Sequence, residues 1–440
     1  MTSKYSTDMT TIEQILEGLK KGRAMYESVH GSLVLPESGM TEANELCLGD
    51  NLSYMKELLE RGYAGAFRLI YIDPPFFTRS SFNAAVNLKD SKGASYKVHH
   101  LAYDDKFDRS LVYYIENMTA RLLMMKDLLA DDGLMWVHLD WHSSHYIKLV
   151  LDELMGEKNF VNEIIWQYKS GGSGKRHFAR KHDSILVYSK TSGYYLDVPR
   201  EKSYNRDRKP YRFRGVAEYK DEGGWYTLVN MKDVWSIDMV GRTSSERTGY
   251  ATQKPLELMR RIVQASTEKG DLAGDFFCGS GSLPEAAHML GRRWIGCDSE
   301  EIAASMARRR LKKAGAEFDF VRQEAVMPQS GRADIRILSA DRLEDGRDLY
   351  KCRLIDLMPD IDIGSVQMKD RVHVETALKA DRLQFADHVM IDPEYNGSFE
   401  AKYVFDADGD DMSFISGGDF EAVVVDIFGK EYRADFIIED

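Results

Sequence analysis

The sequence predicts an α/β protein built on a mostly parallel sheet, followed by a smaller, mainly β C-terminal domain. Three observations carry that reading. Between residues 45 and 312, short apolar runs alternate with helical periods, the strand–helix–strand order that produces parallel sheets. Two of those runs end in chemically distinctive turns, Asp73-Pro74-Pro75-Phe76 and Phe277-Cys278-Gly279-Ser280-Gly281. Beyond residue 330 the helical period gives way to short alternating runs, as at 421–428, and acidic residues accumulate.

Taken in order, residues 8–28 read as a helix with Ile12, Ile15, Leu16 and Leu19 at core spacing, within an N-terminal helical segment over 1–40. A main domain over 41–330 starts with a short strand near 45–48 and a helix through Met55 and Leu58. The run 67–72 is mostly aromatic or β-branched and reads as a buried strand, which Pro74 and Pro75 stop. Residues 78–106 are rich in Ser, Asn and Lys without a period and read as a long loop beside that strand end. A helix over 115–129, a strand over 134–140 and a helix capped by Ser143 and Ser144 follow. Residues 160–168 and 184–189 read as paired strands joined by a flexible, glycine-rich basic connection, Ser170-Gly171-Gly172-Ser173-Gly174-Lys175-Arg176. Then comes an insertion at about 190–245 that mixes Tyr and Trp with Arg and Lys. A helix over 256–268, a strand ending at Asp275, a helix through Ala287 and a strand over 293–297 complete the domain.

Charge separates these regions. The 440 residues have a formal net charge of −12. Residues 331–440 carry 13 Lys and Arg against 26 Asp and Glu, which leaves 46 against 45 for residues 1–330. The acidity therefore belongs to the C-terminal domain, a candidate for contact with a protein partner or a second copy. Residues 165–215 instead carry 13 basic against 4 acidic residues, which suits phosphate contacts. Lys169, Lys175, Arg176, Arg180, Lys181, Arg206, Arg208 and Arg212 are the candidate nucleic-acid-binding residues. The four cysteines are too scattered for a disulfide frame or zinc site, His142 and His145 lack a third ligand, and no metal is expected. Asp406, Asp408, Asp410 and Asp411 read as a solvated turn in place of a calcium loop. Without a signal peptide or an apolar run of about 18 residues, the chain reads as cytoplasmic and without a membrane span.

Ligands of open α/β sheets bind at the carboxyl ends of strands, and both distinctive turns lie there. At the first, the Asp73 carboxylate, a backbone fixed by Pro74 and Pro75, and the Phe76 ring suit a flat ring held by its amino group. A strand closed by a Pro-Pro turn is the plainer alternative. A looser copy, Ile391-Asp392-Pro393-Glu394-Tyr395, lacks the second proline and reads as a turn. At the second, a Gly-x-Gly turn lets backbone approach a ligand, and Asp298 at the next strand end is placed to bind ribose hydroxyls. Position 284 is Pro where a dinucleotide fingerprint has its third Gly, so a nucleoside without phosphates fits better.

Together, Asp-Pro-Pro-Phe at 73, the basic-aromatic region and Phe-x-Gly-x-Gly at 277 resemble the amino-methyltransferases of DNA, in the class whose catalytic motif precedes the cofactor motif. Leu69 to Ile72, Thr252-Gln253-Lys254-Pro255 and Phe178-Ala179-Arg180-Lys181-His182-Asp183 extend the resemblance, particularly toward type III modification subunits and their solitary relatives. Phe76 departs from the Tyr of many members but keeps a stacking face. The resemblance implies that the insertion at about 190–245 is the DNA-recognition region, although it is shorter than a type III recognition domain. The resemblance implies a Rossmann-like sheet, S-adenosylmethionine as cofactor and double-stranded DNA as substrate, modified at adenine N6 after base flipping. It implies Asp73, Pro74, Pro75 and Phe76 as catalytic residues. Asp50, Lys254, Asp275, Phe277, Gly279, Gly281 and Asp298 become cofactor residues. Cytosine N4 methylation and an inactive binding module on the same fold are the alternatives.

Overall fold

The computed structural model describes residues 9–34, 39–78, 81–89, 95–104, 110–170, 175–241, 243–250, 252–323, 331–397, 399, 401–407 and 409–438. In chain order the first elements are α1 (Thr11–His30), β1 (Glu45–Leu48), α2 (Asn51–Glu60), β2 (Phe67–Ile72), β3 (Ser81–Lys89) and β4 (Ser95–Asp104). Next come α3 (Leu111–Leu128), β5 (Leu129–Leu139), α4 (Ser144–Leu151), β6 (Phe160–Gln167), β7 (His182–Ser189), β8 (Arg200–Tyr204), β9 (Tyr219–Asp221), β10 (Gly224–Asn230) and β11 (Val234–Ser236). The elements α5 (Leu256–Ser266), β12 (Leu272–Asp275), α6 (Ser282–Met289), β13 (Arg293–Asp298), α7 (Glu301–Lys313) and β14 (Asp319–Arg322) follow.

Nine strands form one sheet in the order β11-β6-β7-β5-β2-β12-β13-β1-β14. From β5 to β14 every pairing is parallel, while β7 runs antiparallel to β5 and to β6. The central strands β2 and β5 are buried almost throughout, because helices cover both faces of a parallel sheet. The molecule is thus an α/β protein of the Rossmann-like type.

On one face α1 packs against α3. Thr10 and Glu13 form a reciprocal cap at its start. Gly18 and Gly22 then let the two helices touch, since a Cβ at Gly22 would sit 2.4 Å from that of Thr119. The buried stripe of α1 runs through Ile15, Gly18, Leu19 and Gly22. Ile12 and Leu16, expected in the core, lie instead on the exposed flank, because the glycines and not the bulkier residues make the contact.

Three further departures have physical causes. The polar stretch 78–106 is no loop: β3 and β4 form an antiparallel hairpin in which Val86 faces Val98. Its buried residues Val86, Leu88 and Val98 pack on the C-terminal domain, a partner far away in sequence. Helix α4 stops at Leu151 and widens into one looser turn over Asp152–Gly156, where Gly156 adopts a φ of +92°. Ser143 stands before α4 without making a capping bond, and its hydroxyl is buried.

Within 190–245, β8, β10 and β9 make a small antiparallel sheet without a fully buried residue. Its two ends meet where the Met231 N–H donates to the Pro199 carbonyl at 2.8 Å. The chain then returns to the main sheet through β11, parallel to β6.

The C-terminal elements are β15 (Arg332–Arg342), β16 (Asp348–Met358), α8 (Met368–Ala380), β17 (Ala386–Asp392), β18 (Tyr403–Asp406), β19 (Met412–Ser416), β20 (Glu421–Asp426) and β21 (Glu431–Ile438). They form a seven-stranded sheet with α8 beside it. Three of their acids, Asp387, Asp406 and Glu431, face the cations of α7 and β14. Arg308 pairs with Glu431 at 2.8 Å, Arg309 with Asp387 at 2.7 Å and with Asp406, and Arg322 with Glu431 at 2.7 Å. Asp411 pairs with Lys351 and Arg353. Asp408 of that acidic run lies outside the described residues, as do Gly171 to Gly174 of the glycine-rich connection. Among the described residues no helix is long and apolar enough to cross a membrane.

Candidate active site

Because β2 and β12 are neighbours, with Ile70 opposite Gly274, the two distinctive turns emerge side by side. Between them lies a cavity of about 420 Å³ lined by Asp50, Asp73, Pro74, Pro75, Phe76, Lys254, Asp275, Phe277, Gly279 and Asp298. Gly281 stands just behind it, at the start of α6. The residues named from sequence as catalytic and as cofactor-binding therefore meet in one place.

Asp73 leaves β2 with its side chain 16% exposed. One oxygen, Oδ2, is ion-paired with Lys254 Nζ. The other, Oδ1, is buried and without a partner. Lys254, named from sequence as a cofactor residue, thus touches the catalytic-motif carboxylate, and its Nζ lies 5.6 Å from the centre of the Phe76 ring. Phe77 takes a φ of +59°, a strained conformation for an aromatic residue, and stacks on Tyr114. The Tyr114 hydroxyl donates to the Pro75 carbonyl at 3.0 Å.

Under Phe76 lies a buried polar chain. The Phe76 ring stacks on His138 with centroids 6.1 Å apart and planes at 24°. His138 is bonded through Nδ1 to the Tyr71 hydroxyl at 2.8 Å and through Nε2 to Asp183 Oδ2 at 3.1 Å. Tyr168 donates to the other Asp183 oxygen at 3.1 Å. Burial works to raise the Asp183 carboxyl, but its bond to His138 and the surrounding charges hold it below the usual carboxylate range.

The second turn is held by carboxylates. Gly279 and Gly281 adopt φ of +51° and +76°, the left-handed region that glycine enters without strain. The Gly279 N–H donates to Asp298 Oδ2 at 2.7 Å, and the Glu300 N–H to Asp298 Oδ1 at 3.0 Å. Asp275 accepts the Phe277 N–H at 3.1 Å, and burial pushes its carboxyl far upward. Asp50 caps α2 through the Ser53 N–H and pairs with Arg121 at 2.7 Å. Arg121 also donates to Asn51, which donates to the Phe276 carbonyl at 2.6 Å.

Several lining residues carry no motif and are invisible in sequence: Tyr250, Asn117 and Arg121 reach the cavity only through the fold. Glu300 had a signal, an acid two positions past Asp298. Burial, then the charge of Asp298, raises its carboxyl to about 7.

The basic candidates fall on two elements. Lys169, Lys175, Arg176, Arg180 and Lys181 belong to the β6–β7 connection at the same sheet edge as Asp73, where Arg180 stacks on Trp141 at 3.8 Å. Lys169 is paired with Asp238 at 3.5 Å, and Lys181 donates to the Ser170 carbonyl at 2.8 Å. Arg206, Arg208 and Arg212 are exposed on the segment joining β8 to β9.

An open parallel sheet with an acid and an aromatic at one strand end, and a glycine turn with further acids at the next, defines an α/β enzyme with a nucleoside-sized site. Residues 67–309 match the DNA methylase family of the N6/N4 type, and the chain belongs to that family. It is 30% identical over 353 residues to the type II methyltransferase M.EcaI of Enterobacter cloacae, across 67% of this chain and 74% of that one. It is 27% identical over 267 residues to M2.LlaDCHI, a type II methyltransferase of Lactococcus lactis subsp. cremoris, across 60% of this chain and 88% of the other. Among solved structures, the cytosine-N4-specific PvuII DNA methyltransferase aligns over 67% of this chain and 100% of its own, with 14% identity and a TM-score of 0.42.

Proposed function

We propose that this DNA methyltransferase transfers the methyl group of S-adenosylmethionine to the exocyclic N6 of adenine in double-stranded DNA, in the cytoplasm, after flipping the base from the duplex. The observation that carries the reading is the buried, unpartnered Asp73 Oδ1 beside the Phe76 ring. A buried acceptor without a donor costs free energy, roughly 1–3 kcal/mol, and an incoming amine N–H relieves it. An Asp at this position, in this order of motifs, favours adenine over cytosine.

The cavity fits the cofactor chemically. Its size lies within the range of small-molecule sites, about 300–1,000 Å³. The Gly279 turn leaves room for close backbone approach, because a Cβ there would come within 3.1 Å of the Tyr250 ring. Asp298 and Glu300 offer acceptors for ribose hydroxyls. When bound, the cofactor supplies an electrophilic methyl group on a sulfonium.

The adenine N6 lone pair is delocalised into the ring, which makes it a weak nucleophile. Asp73 Oδ1 accepts one amine proton and the Pro74 carbonyl the other, which draws that lone pair out of conjugation. Lys254 holds Oδ2 and so keeps Oδ1 for the amine. Phe76 stacks on the flipped ring, an interaction worth about 1–3 kcal/mol that offsets part of the flipping cost. Rate then comes mainly from positioning. No covalent intermediate is needed. Cys278 borders the cavity, but burial raises its thiol far above the ordinary value and leaves it protonated.

The test is Asp73→Ala assayed with labelled cofactor and DNA. Transfer is expected to fall by about a hundredfold or more while cofactor binding stays within a few-fold. Retained turnover removes Asp73 from the chemistry. Sequencing genomic DNA of an expressing host for N6-methyladenine against N4-methylcytosine decides the base.

A further inference from the structure

The β6–β7 connection bears a side chain that the chemistry above leaves unused. Phe178 is 98% exposed, more than any other large apolar residue described. The exposed rings of the β8–β10 sheet pair with one another, as Tyr204 and Tyr219 do with Tyr226. Among the described residues no ring lies against Phe178. Its flanks are cationic, with Lys175 and Arg176 before it and Arg180 and Lys181 after it, so the ring stands where phosphates would be gathered on either side.

Placement ties this ring to the site. β7 runs antiparallel to β5, with Ser184 opposite Leu139, so the connection lies at the carboxyl ends of β5 and β2. Asp183, five residues beyond Phe178, bonds His138 at 3.1 Å, and His138 lies under Phe76. Five residues of extended chain span at most about 18 Å, which bounds the distance of Phe178 from Asp183. Arg180 stacked on Trp141 at 3.8 Å anchors the base of the loop. His177 Nδ1 bonds the Phe178 carbonyl at 2.8 Å and limits the backbone beside the ring.

Extruding a base leaves a gap in the stack, and apolar side chains inserted at such steps are a known way to hold DNA open. Resting on the methyltransferase reading above, we propose that Phe178 enters the base stack and fills the gap left by the flipped adenine, while its cationic neighbours clamp the flanking phosphates. Exposure of this ring in the free protein then serves the duplex.

The test compares wild type, Phe178→Ala and Phe178→Trp on two DNAs. One is a matched duplex carrying the site located by genomic sequencing; the other has an abasic position opposite the target adenine, so that the base is already unpaired. Initial rates of methyl transfer from labelled S-adenosylmethionine are read. Phe178→Ala is expected to slow the matched duplex by about tenfold or more, the scale of one lost base stack, and the abasic duplex by less than about twofold. Phe178→Trp restores most of the matched rate. Equal slowing on both DNAs, or none on either, overturns the wedge. Wild type that methylates neither DNA overturns the methyltransferase reading itself, and the wedge with it. Because the side chain is exposed, neither substitution threatens the fold.

Discussion

Lys254 and Asp73 lie 181 positions apart in the chain yet share one ion pair at the centre of the cavity. If Lys254 serves the carboxylate and not the cofactor, Lys254→Met lowers kcat by roughly ten- to a hundredfold while KM for S-adenosylmethionine stays within about threefold. Steady-state kinetics separates the two, since a cofactor contact would move KM first. Glu300 gives a pH signature. Its carboxyl goes from 4.5 in the unfolded chain to about 7 in the fold. The protonated form therefore suits the fold, and stability present below about pH 4.5 is lost as pH rises through 7. Glu300→Gln removes that loss. Calorimetry of the cofactor-free protein is expected to show the variant gaining on the order of 1–2 kcal/mol over wild type between pH 5 and pH 8, after allowance for the partial exposure of the side chain. A gap independent of pH would refute it.

Among the elements, α1 and the β6–β7 connection make the sharpest claims. Gly22 lets α1 lie directly on α3, so Gly22→Val overpacks that contact and lowers stability by about 1–3 kcal/mol, measured by urea denaturation. Reversing charge at Arg176 and Arg180 weakens DNA binding and flattens the slope of log Kd against log salt by about two; an unchanged slope counts against the basic loop. What the sequence reveals at this scale follows from where each partner lies. The turns at Asp73 and at Gly279 to Gly281 were legible because proline, glycine and an apolar run act within a few residues. Ile12 and Leu16 misled because helical spacing marks an apolar flank without telling which flank meets a neighbour. The β3–β4 hairpin was hidden because Val86 and Val98 gain their burial from strands more than two hundred residues later.

Across the whole molecule, the acidic domain is a structural partner of the catalytic sheet. Gly429 sits directly on the start of α7, the His99 N–H donates to Asp370 at 2.9 Å, and the Gln367 N–H donates to the His99 carbonyl at 3.0 Å. The surplus of acid visible in the sequence could not say that Asp387, Asp406 and Glu431 answer Arg308, Arg309, Lys313 and Arg322. A chain ending after Arg322 exposes Val86, Leu88, Val98 and Ile302 and strands those cations. It is expected in the insoluble fraction on expression; a soluble fragment that melts cooperatively and binds cofactor would show the two sheets to be independent.

The bond between Met231 and Pro199 has one more consequence. A segment whose entrance and exit touch behaves as an exchangeable cassette: residues 200–230 could be traded for those of another enzyme across a two-point junction without disturbing β7 or β11. Such a graft exchanges an exposed basic and aromatic surface on an unchanged engine, and a shift in the DNA sites that the hybrid methylates is the result that would make this surface the reader of the target.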